Sequence, residues 1–221
     1  MIKGVLFDLD NTIIDFMKMK NAACEAAMDA MIEAGLTLDK KHAMAELSAL
    51  WDKFGIEYQR IFDEFLLKME GRVDYKKLAR GILAYRSAKA SHLVPYPGVR
   101  KTLLALKQKG LQLCIVTDAP RLEAWLRLAG MNLEDFFDHV VTFDDTGKLK
   151  PHKEPFEQAL MLMKLKPSQV MMVGDNCDRD MAGARSLGIT TCLAAYGSRE
   201  PRPADADHTL GRCADILARG D

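Results

Sequence analysis

The sequence predicts an α/β fold: a doubly wound, Rossmann-like parallel sheet with an inserted bundle of α-helices. Short apolar runs alternate with amphipathic segments from residue 93 onward, as expected for strands and helices that follow one another. The runs are continuously apolar, which is typical of parallel strands covered by helices on both faces. Residues 15–92 show helical periodicity and almost no strand signal, so we expect them to form a separate helical part.

The first predicted strand, residues 5–7, lies at the start of the chain. Four further apolar runs complete a five-stranded core, namely residues 111–116, 140–143, 170–173 and 189–194. Helices are expected after the turn cluster at residues 95–98 and between the later strands, near residues 99–110, 120–130, 153–164 and 178–187. The end of the chain predicts a short strand at 208–210 and a last helix near 212–218.

The helical part is predicted to be a bundle of roughly four helices. Its Ala, Met and aromatic residues recur at helical spacing and are interpreted as bundle core, for example Ala23, Ala27, Met31, Phe62, Phe65, Leu78 and Ile82. The change in pattern on either side of it marks two junctions. We therefore expect an α/β core made of residues 1–14 and 93–221, and a helical domain of residues 15–92.

The composition excludes several classes of protein. With 31 basic and 31 acidic residues the formal net charge is zero, so no global field attracts nucleic acid or an anionic membrane. The sequence has no apolar run of the roughly 20 residues that span a bilayer and no signal-peptide pattern at its start. The five cysteines form no metal-binding pattern and are interpreted as reduced core thiols. We expect a cytoplasmic monomer or homodimer with no nucleic-acid or membrane partner.

Two carboxylates follow the first strand directly. Asp8 and Asp10 are two residues apart, so in an extended segment their side chains project to the same side. The carboxyl end of a strand in an open α/β sheet is where ligands bind, and an ionised carboxylate beside apolar residues needs a cation or ligand to compensate it. A plain turn explains an Asp-x-Asp pair equally well when it is taken alone.

Three further signals change that balance, because they follow in order along the chain, the first and the last of them at the end of an apolar run. They are Thr117-Asp118, Lys150-Pro151, and Gly174-Asp175 with Asp180 five residues beyond. Together with Asp8-Leu9-Asp10-Asn11-Thr12, these motifs resemble those of the haloacid dehalogenase-like hydrolase superfamily in order and spacing, over essentially the whole chain. Most of that superfamily are Mg²⁺-dependent phosphatases, and the chain is similar to compact archaeal members described as glyceraldehyde 3-phosphate phosphatases.

The residue chemistry and this resemblance assign the same roles to the two carboxylates. Asp8 is expected to attack phosphorus and form an aspartyl-phosphate, and Asp10 to act as general acid and base. The resemblance adds the backbone carbonyl of Asp10 as a metal ligand beside the side chains of Asp8 and Asp175. These are few, hard oxygen ligands, which favour Mg²⁺ as the cofactor.

The remaining motifs supply phosphate contacts and support. The Thr117 hydroxyl and the amides of Asp118 and Ala119 are expected to hold phosphoryl oxygens where the chain turns into a helix. In the resemblance, Lys150 neutralises Asp8 and the transferring phosphoryl group. Supporting roles fall to Thr12, Asn176 and Asp180, the last through water or a hydrogen bond to a ligand.

The sequence favours hydrolysis of a small phosphate ester. Asp10 favours phosphoryl transfer over dehalogenation, because a halide leaves as an anion and needs no proton. A phosphomutase keeps the same acid and stays an alternative, as does a binding or regulatory protein that has lost turnover. The helical domain is expected to be a cap that closes over the core and contacts the leaving group. His42 and His152 are interpreted as surface or structural residues. Lys18 and Lys20 are interpreted as solvated charged residues on a helix.

Overall fold

The computed structural model describes residues 1–219. The chain forms two compact units, one made of Met1–Asp15 with the chain from Val94 onward, and the other of Phe16–Leu93. We call them the sheet unit and the helical unit. The helical unit is therefore an insertion between the first strand of the sheet unit and all its other elements.

The sheet unit contains a six-stranded sheet in which every pairing is parallel. The strands are β1 (Gly4–Phe7), β2 (Gln112–Val116), β3 (His139–Val141), β4 (Val170–Gly174), β5 (Thr190–Ala194) and β6 (His208–Leu210). Their order across the sheet is β3-β2-β1-β4-β5-β6. This arrangement confirms the predicted α/β class and adds the short sixth strand to the five-stranded core.

The register explains how the sheet creates a site at one edge. Phe7 at the end of β1 pairs with Ile115 in β2 and with Val173 in β4, so these three strands end nearly level. β1 and β4 are buried along their whole length, as the continuous apolar runs predict. Residues that follow the three strands therefore emerge together, at the edge where open α/β sheets bind ligands.

Helices cover the sheet between successive strands. They are α5 (Val99–Gln108), α6 (Arg121–Gly130), α7 (Phe143–Thr146), α8 (Glu154–Met163) and α9 (Ala182–Ser186). Short 3-10 helices occur at Glu134–Phe136, Pro167–Gln169, Pro203–Asp205 and Cys213–Ala218. A π-helical turn, Cys177–Met181, leads directly into α9.

Three local expectations were wrong in detail. The strand expected at 140–143 ends at Val141, because Thr142 caps α7: its backbone N–H donates to the Asp145 carboxylate at 2.8 Å. The helix expected over 178–187 begins as the π-helical turn. The expected last helix is of the tighter 3-10 type.

The helical unit is built from four helices, all within its described residues 16–93. They are α1 (Phe16–Glu33), α2 (Lys40–Phe54), α3 (Ile61–Glu70) and α4 (Tyr75–Ser91). Asp74 caps α4 by accepting the backbone N–H of Lys76 at 2.9 Å, and Gly71 ends α3 in the left-handed region. The predicted Met, Leu and aromatic stripes form one hydrophobic core.

Lys20 differs from its expected solvated state. Its side chain is buried in the helical unit, where Nζ donates to the carbonyl of Ile56 at 2.6 Å and lies 3.3 Å from the ring centroid of Trp51. These contacts stabilise the α1 to α2 packing. His42 and His152 are exposed, as expected.

Within residues 1–219, no helix has the length and apolar character needed to cross a membrane. All five cysteines are buried and free.

Candidate active site

The nucleophile candidate lies at the end of the central strand. Asp8 follows β1 directly and is buried, with its N–H donating to the carbonyl of Val173 in β4 at 2.9 Å. Thr12 Oγ1 donates to Asp8 Oδ2 at 3.5 Å. Asn11, between them, has φ 58°, a left-handed conformation that asparagine tolerates better than most residues. The loop therefore folds back and brings Thr12 beside Asp8.

Lys150 brings three elements of the site together. Its side chain is buried, and Nζ lies 2.5 Å from Asp8 Oδ1 and 2.7 Å from Asp180 Oδ1. It also donates to the backbone carbonyl of Val116, the last residue of β2, at 3.0 Å. The predicted pairing of Lys150 with Asp8 thus occurs in the structure, and one ammonium faces two carboxylates.

An acidic cluster surrounds this ammonium. Carboxylate oxygens of Asp8, Asp175 and Asp180 all lie within 4.8 Å of one another, and all three residues are buried. Asp180, which was expected to act only in support, is therefore as close to the centre as the two predicted ligands. Three carboxylates against one ammonium leave an excess of negative charge that a buried site tolerates poorly.

The charges of the cluster shift one another's protonation. Burial raises the pKa of Asp8 well above its usual value; Lys150 opposes this shift, and the neighbouring carboxylates of Asp180, Asp175 and Asp10 add to it. Burial, with the charge of Asp180, raises the pKa of Asp175 to about 6. Burial disfavours the charged form of Lys150, but Asp180 and Asp8 outweigh it and raise the pKa of its ammonium.

The cluster fits a divalent cation. Asp175 Oδ1 is buried and has no hydrogen-bond partner among residues 1–219, which leaves it available as a ligand. All the donors are carboxylate oxygens, the type that Mg²⁺ prefers. A cation here would compensate the negative charge that Lys150 leaves unbalanced.

The loop that follows β2 is held in a local turn. The Ala119 N–H donates to Thr117 Oγ1 at 3.2 Å, so the hydroxyl and one of the predicted phosphate-binding amides contact each other. Asp118 accepts the backbone N–H of Lys150 through Oδ1 at 2.8 Å and Nη1 of Arg179 through Oδ2 at 3.1 Å. The Asp118 side chain thus ties the loop after β2 to two other parts of the site.

Asn176 has a structural role in the loop after β4. Its Oδ1 accepts the backbone N–H of Arg179 at 2.9 Å, which caps the π-helical turn, and its own N–H donates to Asp180 Oδ2 at 3.0 Å. Gly174 makes room for this arrangement, because a Cβ at that position would overlap the carboxyl group of Asp180. The glycine is thus required by the close packing of Asp180 against it.

Two arginines at the site were not predicted. Arg127 on α6 donates from Nη1 to Asp10 Oδ2 at 2.8 Å, and Arg179 pairs with Asp118. Arg127 lies three residues after Ala124 and one before Leu128, both buried, and this spacing marks it as a residue on the inner face of α6. No comparable signal distinguishes Arg179.

Comparisons with known proteins show which family the chain resembles. A family model described as haloacid dehalogenase-like hydrolase matches residues 2–188. The glyceraldehyde 3-phosphate phosphatase of Methanocaldococcus jannaschii is 35% identical over 219 residues, which cover 98% of this chain and 96% of that protein. The relative is a phosphatase by name, in agreement with the predicted phosphoric monoester hydrolase.

Solved structures show the same fold. A phosphatase of this superfamily from Thermococcus onnurineus has a TM-score of 0.71 at 26% identity, covering 99% of this chain and 97% of that one. A 2-haloacid dehalogenase from Pseudomonas syringae has the same TM-score, at 24% identity over the full length of both chains. The fold is therefore shared by enzymes of different names. The family itself is identified by the match to the family model and by the near full-length relative. On that evidence the chain belongs to the haloacid dehalogenase-like hydrolases.

Proposed function

We propose that the protein is a Mg²⁺-dependent phosphatase that hydrolyses a small phosphorylated metabolite through an aspartyl-phosphate on Asp8. The observation that carries this proposal is the contact of Lys150 Nζ with Asp8 at 2.5 Å beside the buried carboxylates of Asp175 and Asp180. A phosphomonoester is anionic, so its approach to a carboxylate nucleophile requires positive charge at the point of attack. Lys150 supplies one such charge.

In the first step, a carboxylate oxygen of Asp8 attacks phosphorus and the P–O bond to the leaving group breaks. Asp10 gives its proton to the leaving oxygen, which departs as an alcohol. Thr117 and the amides of Asp118 and Ala119 are proposed to hold the transferring phosphoryl oxygens, which requires the Ala119 N–H to turn from Thr117 Oγ1 to the substrate.

In the second step, water attacks the phosphorus of the aspartyl-phosphate. Asp10, now ionised, takes a proton from this water, and the bond between phosphorus and the Asp8 oxygen breaks. Inorganic phosphate leaves, and both carboxyl groups return to their starting protonation states. Lys150 stabilises the Asp8 carboxylate as the leaving group of this step.

Asp8, Asp175 and the backbone carbonyl of Asp10 would hold Mg²⁺, and the position of Asp180 supports adding it to this set. Bound there, Mg²⁺ supplies positive charge to the phosphoryl oxygens. We propose that the helical unit acts as the cap that sets the choice of leaving group. The name of the relative from M. jannaschii makes glyceraldehyde 3-phosphate the first substrate to test.

The test is release of inorganic phosphate from triose, hexose, glycolate and nucleoside phosphates, with Mg²⁺ and with a chelator. Asp8→Asn removes the nucleophile with little change of volume, and Asp205→Asn is a matched control whose carboxylate forms an exposed ion pair with Arg202. We expect Mg²⁺-dependent release that Asp8→Asn abolishes and Asp205→Asn retains. Release that survives in Asp8→Asn would overturn the mechanism.

Two direct readouts separate the intermediate from the metal. Acid quenching during turnover of a ³²P-labelled ester should leave label on the peptide that contains Asp8. Calorimetric titration with Mg²⁺ in the absence of substrate should give binding to the wild-type protein that Asp175→Asn loses. Label on another peptide, or unchanged Mg²⁺ binding in Asp175→Asn, would contradict the corresponding assignment.

A further inference from the structure

Arg127 places a charged group in the interior of the sheet unit. Its side chain is 1% exposed, and among residues 1–219 it is the largest of the fully buried side chains. It lies in the last turn of α6, where the helix dipole favours a cation. A buried guanidinium keeps its charge, so it must be paired to be tolerated.

The group that Arg127 contacts is one of the two motif carboxylates. Nη1 lies 2.8 Å from Oδ2 of Asp10, whose side chain is 23% exposed. The two residues are 117 positions apart in the sequence, so the contact depends on how the fold brings the end of α6 to the loop that follows β1. The rigid, planar guanidinium of Arg127 thus holds the Asp10 carboxyl group from the protein interior, and this carboxyl group keeps access to the site.

A second arginine on the same helix lies at the surface. Arg121 is 56% exposed and pairs with Asp145 Oδ1 at 2.7 Å at the surface. Replacing a buried ion pair by apolar residues is often neutral or stabilising. Stability alone therefore does not explain the arginine at position 127.

We propose that Arg127 is a positioning residue that fixes the Asp10 carboxyl group where it can exchange a proton with the leaving oxygen and with the attacking water. This inference rests on the proposed function, in which Asp10 is the general acid and base. Arg127 touches neither substrate nor phosphorus in this scheme. It acts by holding the Asp10 carboxyl group in one orientation.

The proposal predicts an effect that depends on the leaving group. An alkoxide needs a proton as its P–O bond breaks, whereas p-nitrophenolate leaves readily as an anion. Misplacing Asp10 should therefore slow an alkyl phosphate more than p-nitrophenyl phosphate. The ratio of kcat/KM for the two esters in one preparation does not depend on how much of the protein is folded, so a purely structural defect does not change it.

The experiment measures this ratio, alkyl ester over aryl ester, in the full-length protein with Mg²⁺. The alkyl ester is the best substrate of the phosphate panel. Arg127→Met should lower the ratio by about tenfold, within the effect that general acid catalysis supplies. Arg127→Lys keeps the positive charge but loses the planar guanidinium group, and it should restore part of the lost ratio. Arg121→Met is the matched control and should leave the ratio at the wild-type value.

A double variant tests whether the effect runs through Asp10. In an Asp10→Asn background, Arg127→Met should change the ratio no further. An unchanged ratio in Arg127→Met, or an equal additional loss in the double variant, would overturn the positioning role. Failure of the proposed function is distinguishable, because it appears without any change at Arg127: the wild-type protein releases no phosphate from either ester, or Asp8→Asn still releases it.

Discussion

The Asp118 carboxylate accepts the backbone N–H of Lys150 at 2.8 Å, which ties the loop after β2 to the lysine that pairs with Asp8. Asp118→Ala should loosen Lys150 and lower kcat by about tenfold, because small misplacements of a catalytic group are costly. Steady-state kinetics on the best ester measure this effect.

Asp138→Ala is the matched control for that variant. Asp138 likewise bridges a backbone N–H, that of Leu113 at 2.8 Å, and a cation, Lys107 at 2.6 Å, but it lies at the opposite end of β2. Both variants lose comparable hydrogen bonds, and only Asp118→Ala should lower kcat. Equal kinetics in the two would refute the role of the Asp118 tether.

Lys150→Met should destabilise the metal-free protein strongly. The variant leaves Asp8 and Asp180 buried without their ammonium, and breaking a buried ion pair in this way costs about 3–5 kcal/mol. Urea unfolding in the presence of a chelator measures the free energy. Adding Asp180→Asn should restore part of the loss, whereas a double variant as unstable as the single one would show that charge is not the cause.

Gly174→Ala should damage the acidic cluster. An added Cβ overlaps the Asp180 carboxyl group, and overpacking of a buried site costs about 1–3 kcal/mol. We expect weaker Mg²⁺ binding by calorimetry together with a lower unfolding free energy. Gly211→Ala is the control, because its Cβ would meet the Asp215 carboxylate at an ordinary 3.5 Å. Full Mg²⁺ affinity in Gly174→Ala would contradict the packing argument.

The Asp207 carboxyl group should make the free energy of unfolding depend on pH. Its Oδ2 accepts both the backbone N–H and the hydroxyl of Thr191 at 2.8 Å, and these hydrogen bonds lower the pKa of the Asp207 carboxyl group in the folded protein. A depressed folded pKa stabilises the protein above the unfolded value of about 3.9, and the contribution is lost as pH falls through the folded pKa.

Asp207→Asn isolates this contribution, because it keeps an acceptor and removes the charge. Because Asp207 is exposed and solvent screens its charge, the wild-type protein should be more stable than the variant by at most about 1 kcal/mol at pH 6, and the difference should shrink as the pH falls below about 4. Urea unfolding at several pH values measures it. A difference that stays constant over that range would show that ionisation of Asp207 does not contribute.

Most of the fold was predictable because its signals are local. The continuous apolar runs identify β1 to β5, and the helical periodicity of the inserted segment reports one buried face per helix. The helix at Phe143 was missed although Thr142-x-x-Asp145 has the spacing of a capping box, because the apolar run continues through Phe143.

The site was predictable where its residues end strands and not where they meet across the fold. Asp8, Thr117 and Asp175 each follow a strand directly, so their convergence follows from parallel topology. Lys150 lies in the turn after α7 and was identified through the Lys-Pro motif. The contact of Arg127 with Asp10, and that of Lys150 with Asp180, depend on how a helix and a loop pack on the sheet. No local sequence pattern shows how deeply a single charged side chain is buried, so Asp180 was assigned only a supporting role.

The central place of β1 has a consequence for synthesis of the chain. β1 is made first, yet its two neighbours begin at Gln112 and Val170, so the middle of the sheet cannot form until more than three quarters of the chain exists. The contacts of the helical unit are local by comparison, and local contacts form fastest. On the ribosome we therefore expect the helical unit to fold while β1 still has two open edges, which is the interval in which a nascent chain is most prone to wrong strand pairing.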